Sequence, residues 1–379
     1  MAQQIKTDWI LFTSVVLTVC FGIVMMYSAS SVMAGVRYGN PQYFLYRQVG
    51  WAVVSFAVLM YFKRKDYHSL DGPTWAFAPL GIVLGLLVAA YFRDGRTHRW
   101  LNIGTAGIQP SEFAKPALVI FLAWFVTRRL NAINTKHTVG PAALALSVLA
   151  GSVIVADMGT AAVLMITAAA VFYVAGLDRR YFLIALAAGV LAVSAAILSK
   201  PYRILRVIGY LDPEYKVLSV IDPKGWIRKQ ADKSLASRDV GYQVRQSKIA
   251  VGSGGFGGLG LMKSRQKLLF LPEAHNDFIY AVVGEELGLV GAAGVLAVFV
   301  LIFYRGVRLY WLVTDDFGRF LALGVSTLVL AQALIHMSVV LDMAPNKGMN
   351  LPMISYGGSS LLSTLTLLGI LMSVSDHAG

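Results

Sequence analysis

The feature that most constrains this chain is the recurrence of apolar runs long enough to cross a hydrocarbon core, a distance that takes about 20 helical residues. Such runs lie near residues 9–29, 46–62, 75–92, 112–127, 139–156, 158–175, 181–199, 275–304, 318–341 and 353–374. Backbone amides find no water inside a bilayer, so these runs must be helices. The expected fold is an all-α polytopic membrane protein, a single domain over residues 1–379 with about ten transmembrane helices and both termini on one side. Composition agrees, at 57% hydrophobic and 14% charged residues against roughly 25% charged in soluble domains. The first run is too long for a signal-peptide core and reads as a retained helix. Its Cys20, the single cysteine, leaves no intrachain disulfide or cysteine metal cluster.

The formal charge is +13. In a bilayer protein that excess belongs to cytoplasmic loops and anionic headgroups, so no nucleic-acid partner is expected. With both termini cytoplasmic, the short inner loops carry Lys63, Arg64, Lys65, Arg128, Arg129, Lys136, Arg179, Arg180, Arg305, Arg308 and Arg319. The short outer loops carry only Arg37, Arg47, Arg93, Arg96, Arg99 and Lys347, and this bias favours that orientation. One connection, residues 200–274, is long, faces outward in this topology, and holds fourteen Lys/Arg against six Asp/Glu. Within it, PYRILRVIGYLDP places Arg203 and Arg206 at the spacing of an interfacial amphipathic helix, and LDPEY and IDPKG give two turns.

Chemistry concentrates where that loop re-enters the membrane, in AVGSGGFGGLGLMKSRQKLLFLPEAHNDFIYAVVGEELGLVG at 250–291. Pro272 is expected to open a helix whose first turns put Glu273 and Asp277 on one face, beside His275 and Asn276. Ionisable groups at a membrane entrance mark cavities or partners, and Asp277, the deeper acid, is the leading functional candidate. Glu273 reads equally as an interfacial anchor, and Glu285 and Glu286 read as structural acids paired with cations or hydroxyls of neighbouring helices. GSGGFG at 252–257 matches a dinucleotide fingerprint, but no strand precedes it and the assignment fails. A better reading is a loop whose amides, with Lys263, Arg265 and Lys267, bind a diphosphate, against the plainer alternative of an ordinary loop. In RWLNIGTAGIQPSEFAK, Pro110 opens a helix on which Glu112 and Lys115 stand three apart, as an ion pair or as a second cavity carboxylate with its cation. PNKGMNLPMISYGGSS at 345–360 presents Lys347 beside small residues suited to close helix contact.

Taken together these segments resemble the SEDS family of bacterial wall-building membrane proteins, comprising FtsW, RodA and SpoVE. The resemblance is carried by MMYSAS (25–30), FLYRQ (44–48), RWLNIG with IQPSEFAK, DMGTA (157–161), GYQ (241–243), LFLPEAHNDFIYAVVGEELGLVG and KGMNLPMISYGGSS, in order along nearly the whole chain. Lys347-Gly348 leans towards the division and sporulation branch over the elongation branch. The departures are Asn276, where Thr is common, His336, where Asn is common, a polar loop with Asp342, Asn346 and Asn350, and the tandem LDPEYKVLSVIDPKG.

The resemblance implies ten transmembrane helices and a peptidoglycan glycosyltransferase that polymerises lipid II at the outer face of the cytoplasmic membrane. A class B penicillin-binding protein is implied as transpeptidase partner, alongside other divisome or elongasome proteins. The family's essential acid falls on Asp277, here the general base of an inverting attack that releases undecaprenyl diphosphate, with Glu112, Lys115, Glu273 and His275 in support. Arg47, Arg99, Arg203, Arg206, Gln243, Lys263, Lys267, Lys347 and Ser355 are the expected substrate contacts. A divalent cation, magnesium or manganese, is a further candidate for stabilising the leaving group, with no metal ligands assigned and no organic cofactor expected. Two rivals remain: a lipid II flippase and a non-catalytic division scaffold. The clustering of charge at one membrane face argues against the first.

Overall fold

The computed structural model describes residues 7–95, 98–103, 106–198, 204, 208, 222, 240–345 and 347–377. Among these the helices are α1 (Trp9–Tyr38), α2 (Tyr43–Arg64), α3 (Pro73–Arg93), α4 (Pro110–Thr127), α5 (Lys136–Ala156), α6 (Met158–Val174), α7 (Arg179–Leu198), α8 (Val240–Gly254), α9 (Ile279–Leu312), α10 (Asp316–Val340) and α11 (Gly358–His377). All but α8 stand at the ten expected spans. Helices α1, α2, α3, α5, α9, α10 and α11 are long and apolar enough to cross a membrane, and α6 is a shorter apolar helix. The chain is a multi-pass membrane protein. Arg203 and Arg206, in the expected interfacial helix, lie outside the described residues.

Buried surface centres on three helices. Helix α10 packs against α4, α6 and α9, while α11 packs along α2 and also touches α4. Nearly every side chain of α4 and α11 is buried, whereas α2, α3, α5 and α7 leave Phe56, Phe92, Leu144, Leu183 and Leu191 exposed. An apolar outer surface is free of cost in hydrocarbon, so helix contacts there depend on close packing and internal polar bonds. One end of the bundle is tied by ion pairs: Lys63 with Asp376 at 2.6 Å, Arg305 with Asp8 at 2.6 Å and Arg128 with Asp71 at 3.2 Å.

Three local expectations are corrected. Pro272 does not open a helix: residues 261–278 are turns and α9 begins at Ile279. Glu273, at φ 55°, has left-handed backbone that no α-helix accommodates. The last span begins at Gly358, with irregular backbone from Lys347 to Gly357. A two-stranded antiparallel hairpin, Leu101–Ile103 with Ala106–Ile108, stands before α4 where only a loop and turn were expected.

The glycine segment has a different purpose from the one its sequence suggested. Helix α9 breaks at Gly288, where φ is 65° and ψ −161°, and a β-carbon there would collide with the backbone of Phe256 and Gly258. The amides freed by the break are used at once, Leu289 N donating to Gly255 O at 2.9 Å and Val290 N to Phe256 O at 3.3 Å. In return Leu259 N and Gly260 N donate to the carbonyls of Glu285 and Glu286, at 3.0 and 2.9 Å. The two carboxylates complete the exchange. Met262 N and Ser264 N donate to the Glu286 side chain, and Arg265 N and Gln266 N to that of Glu285, at 2.8 to 3.3 Å. Lys267 Nζ then pairs with Glu286 at 2.8 Å and Ser28 Oγ donates to the same group at 2.7 Å, all of them buried. These amides and Lys267 are therefore spent inside the protein and unavailable to a diphosphate.

Removing Lys267 would strand the Glu286 charge in the interior, a loss worth about 3–5 kcal/mol. We expect Lys267→Ala to lower the thermal midpoint of the detergent-solubilised protein far more than Lys263→Ala, whose side chain is exposed; equal midpoints for the two would refute this assignment.

Candidate active site

A cavity of about 710 Å3 opens at the end of the bundle where α1 finishes and α2 starts. Its lining brings together Arg37, Arg47 and Arg99, the acids Glu273 and Asp277, the polar groups Gln109, His275, Asn276 and Asn350, and the rings of Tyr38, Phe44, Tyr46, Trp51, Trp100 and Tyr356. Cations, carboxylates and flat apolar rings in one concave space suit a charged, carbohydrate-like ligand.

Asp277 sits on a tight turn rather than on a helix. The carbonyl of Glu273 accepts from Asn276 N at 3.0 Å and Asp277 N at 3.1 Å, so the left-handed Glu273 folds the segment back on itself. A second loop is sewn to this turn. Tyr356 N donates to His275 O at 3.0 Å, and Ser355 Oγ donates to Asn276 O at 2.7 Å while accepting from Leu351 N at 2.8 Å. Gln48 of α2 holds the same loop, donating to Ser355 O at 3.4 Å and accepting from Gly357 N at 3.3 Å. The carboxylate of Asp277 lies against Gly348, where any β-carbon would collide with it. Among the non-glycine residues with left-handed φ are Glu273, Asp342 (61°) and Met353 (64°), all in the loops that frame the cavity. Such conformations cost about 1–3 kcal/mol each and persist where surrounding structure enforces them.

Beneath the second loop lies the expected pair on α4. Lys115 Nζ bonds Glu112 at 2.6 Å and Gln332 Oε1 at 2.8 Å, and Gln332 Nε2 donates to Asn350 O at 2.8 Å. Glu112 and Lys115 are buried and outside the cavity lining, so they brace the loop from below. His336 does likewise, its Nδ1 lying 2.6 Å from Met349 O.

Beside the cavity, Asp157 joins three segments. Its Oδ2 accepts from Arg99 Nη2 at 3.1 Å and Gln109 Nε2 at 3.2 Å, and its Oδ1 lies 3.3 Å from Lys347 Nζ. Burial opposes its ionisation, but the Lys347 and Arg99 charges and the Thr160 donors outweigh that and hold its carboxyl below the usual range. Burial pushes the His275 imidazole below its ordinary value, against the opposing pull of Glu273, so the ring is neutral at pH 7. Burial also raises the Tyr356 phenol, against the hydrogen bond and charge of Arg47.

Of the residues singled out in the sequence, Arg47, Arg99, Glu273, His275 and Asp277 converge on the cavity. Ser355 serves the backbone beneath it, Lys347 pairs with Asp157, Lys267 is buried with Glu286, Lys263 is exposed and Gln243 lies on α8. Arg37, Gln109 and Asp157 were missed. Asp157 had a visible signal, being a lone acid between two apolar runs with no loop residues to spare. Among the described residues no three His, Cys, Asp or Glu side chains gather as a metal site.

The family model described as cell cycle protein, covering FtsW, RodA and SpoVE, matches residues 8–379. The chain belongs to the FtsW/RodA/SpoVE family. It is 37% identical to a probable peptidoglycan glycosyltransferase FtsW of Geobacter sulfurreducens, over 98% of this chain and 96% of that protein. To the stage V sporulation protein E of Bacillus subtilis it is 33% identical, over 99% of both. Among solved structures, a chain from a peptidoglycan synthase complex that coordinates polymerization and crosslinking superposes with a TM-score of 0.73 at 25% identity, over 99% of both chains. The rod shape determining protein RodA of Thermus thermophilus superposes at 0.68 and shares the fold. This family fold therefore presents Asp277 and its three arginines in one cavity.

The depressed His275 value carries a sign. Its folded pKa lies below the unfolded one, so its contribution to stability is complete above the ordinary imidazole value, about 6.5, and is lost as pH falls through the folded value. The thermal midpoint of the protein should therefore decline from pH 7 towards pH 5 more steeply than that of His275→Gln; parallel declines would count against a buried neutral ring.

Proposed function

We propose that this protein is a peptidoglycan glycosyltransferase that polymerises lipid II, with Asp277 as its general base. The observation that carries the reading is the Asp277 carboxylate, seated on Gly348 in a cavity rimmed by Arg37, Arg47 and Arg99, in a chain of this family. Asp277 takes the proton of the acceptor's GlcNAc 4-hydroxyl as that oxygen attacks the anomeric carbon of the donor's MurNAc from the face opposite its diphosphate. Configuration inverts, a glycosidic bond forms, and undecaprenyl diphosphate leaves. The departing group gains negative charge, which guanidinium groups stabilise without a proton transfer. Magnesium is bound in such sites through one or two carboxylates and the substrate phosphates, and with Asp277 serving as base, Glu273 is the lining carboxylate that would hold it. A cation held there would neutralise diphosphate charge.

The cavity end faces outward in this reading, supported by the excess of basic residues in the loops at the other end. The likeness to a chain of a synthase complex supports a transpeptidase partner, which we assign to a class B penicillin-binding protein. Division or sporulation is the favoured setting, given the FtsW and SpoVE relatives.

Purified protein with lipid II, with and without chelator and a cognate transpeptidase, tests the reading. Glycan strands should form, and Asp277→Asn should reduce their rate by about 10²- to 10⁴-fold, the span of a general base, with an unchanged thermal midpoint. Movement of labelled lipid II between leaflets without glycosidic bonds would establish a flippase instead, and full activity of Asp277→Asn would remove the base.

A further inference from the structure

Asp157 has more partners than its place in the fold demands. It is the N-cap of α6, and a cap requires only an oxygen facing the first free amides of the helix. Oδ1 fills that role, accepting from Gly159 N at 2.9 Å and Thr160 N at 3.3 Å. Yet the same carboxylate also accepts from Thr160 Oγ1 at 3.0 Å, Arg99 Nη2 at 3.1 Å and Gln109 Nε2 at 3.2 Å and forms an ion pair with Lys347 Nζ at 3.3 Å, while only 4% exposed. Thr160 belongs to α6 itself, but Arg99 and Gln109 come from the segment around the hairpin before α4 and Lys347 from the loop between α10 and α11. Arg99 and Gln109 line the cavity, and Lys347 adjoins Gly348, the residue on which the Asp277 carboxylate rests.

We infer that Asp157 is a positioning residue for the transfer reaction, one buried anion that holds Arg99 at the cavity wall and anchors Lys347-Gly348 under Asp277. The inference rests on the glycosyltransferase reading for its consequence, though not for its geometry. Asp157 brings one negative charge to the two positive charges of Arg99 and Lys347, so its own field fixes the cations without cancelling both. Fixing matters because displacing a catalytic group by about 1 Å costs on the order of 10²-fold in rate. An uncharged cap could not do this: it would leave Arg99 and Lys347 to seek other anions, the substrate's own phosphates included.

Asparagine separates the two roles, since it caps a helix as well as aspartate does but cannot hold two cations. In Asp157→Asn we expect the thermal midpoint to stay near that of the parent and kcat for lipid II polymerisation to fall by about 10- to 100-fold, with KM changed by less than about threefold. Combining it with Arg99→Ala should cost less than the product of the single losses, because both act through one contact. Hydrogen–deuterium exchange supplies a readout independent of activity: amides of 347–357 should exchange faster while Gly159 and Thr160 stay protected. Parent-like kcat, multiplicative single effects, unchanged exchange in 347–357, or loss of the folded protein in Asp157→Asn would each overturn the inference. The last would make the carboxylate a structural necessity. If the parent protein itself makes no glycan, the proposed activity fails and the exchange result alone decides the clamp.

Discussion

Irregular backbone can enter a membrane bundle only if its amides find acceptors, since each one left bare in a dry interior costs several kcal/mol. Glu285 and Glu286 meet that condition here. Two adjacent side chains, with their own carbonyls, accept six amides between Leu259 and Gln266 and one buried ammonium. The break at Gly288 lets α9 and the glycine segment exchange backbone bonds, which fixes the chain about ten residues before Asp277. A functional turn on a helix end would be frayed; a turn anchored on both sides is not.

The same logic continues on the opposite wall. The loop between α10 and α11 has no regular structure of its own, yet its carbonyls and amides are bonded by Gln48, Gln332, His336, Ser355 and the 273–277 turn. Lys115 holds Gln332 and Glu112 holds Lys115. Polar side chains buried this deep are costly unless bonded, and Gln48, Gln332, Lys115 and Ser355 each find partners here, while His336 is bonded through Nδ1. The departures noted in the sequence find places in it: His336 bonds Met349 O, and Asp342 pairs with Lys248 at 2.6 Å, tying this loop to α8.

Legibility followed the physics of each feature. Hydrophobic runs declare helices because the bilayer allows little else, and all ten were found. Asp277 was legible as a charge where charge is costly. The turn around it was not, because Pro272 and the 273–277 spacing satisfy helix rules equally well, and only the left-handed Glu273 excludes a helix. Lys267 and the glycines were misread for a related reason. A basic, glycine-rich loop has the composition of an anion site whether the anion is a ligand or two glutamates 20 residues downstream. Long-range pairing decides between these, and composition carries no record of it.

Charge balance around the cavity bears on the proposed transfer from a lipid diphosphate. Arg47 lies 4.7 Å over the Tyr43 ring, a contact that orients a guanidinium without neutralising it. Arg99 shares its counterion with Lys347, so it too keeps part of its field. The buried cations elsewhere, Lys115 and Lys267, are each matched by a glutamate at hydrogen-bond distance. Three arginines thus share the cavity lining with Asp277 and Glu273, and on the proposed reading that placement has a consequence for the base itself. In the proposed transfer an attacking hydroxyl loses its proton to a carboxylate while the diphosphate gains negative charge, so negative charge grows on one side of the reacting carbon as the other is discharged. On that reading the arginines of the lining that meet the leaving group stabilise the first change, while Asp277 undergoes the second at the acceptor hydroxyl. On the proposed reading, cations fixed by stacking and by a shared buried anion stabilise the leaving group with no rearrangement during the step.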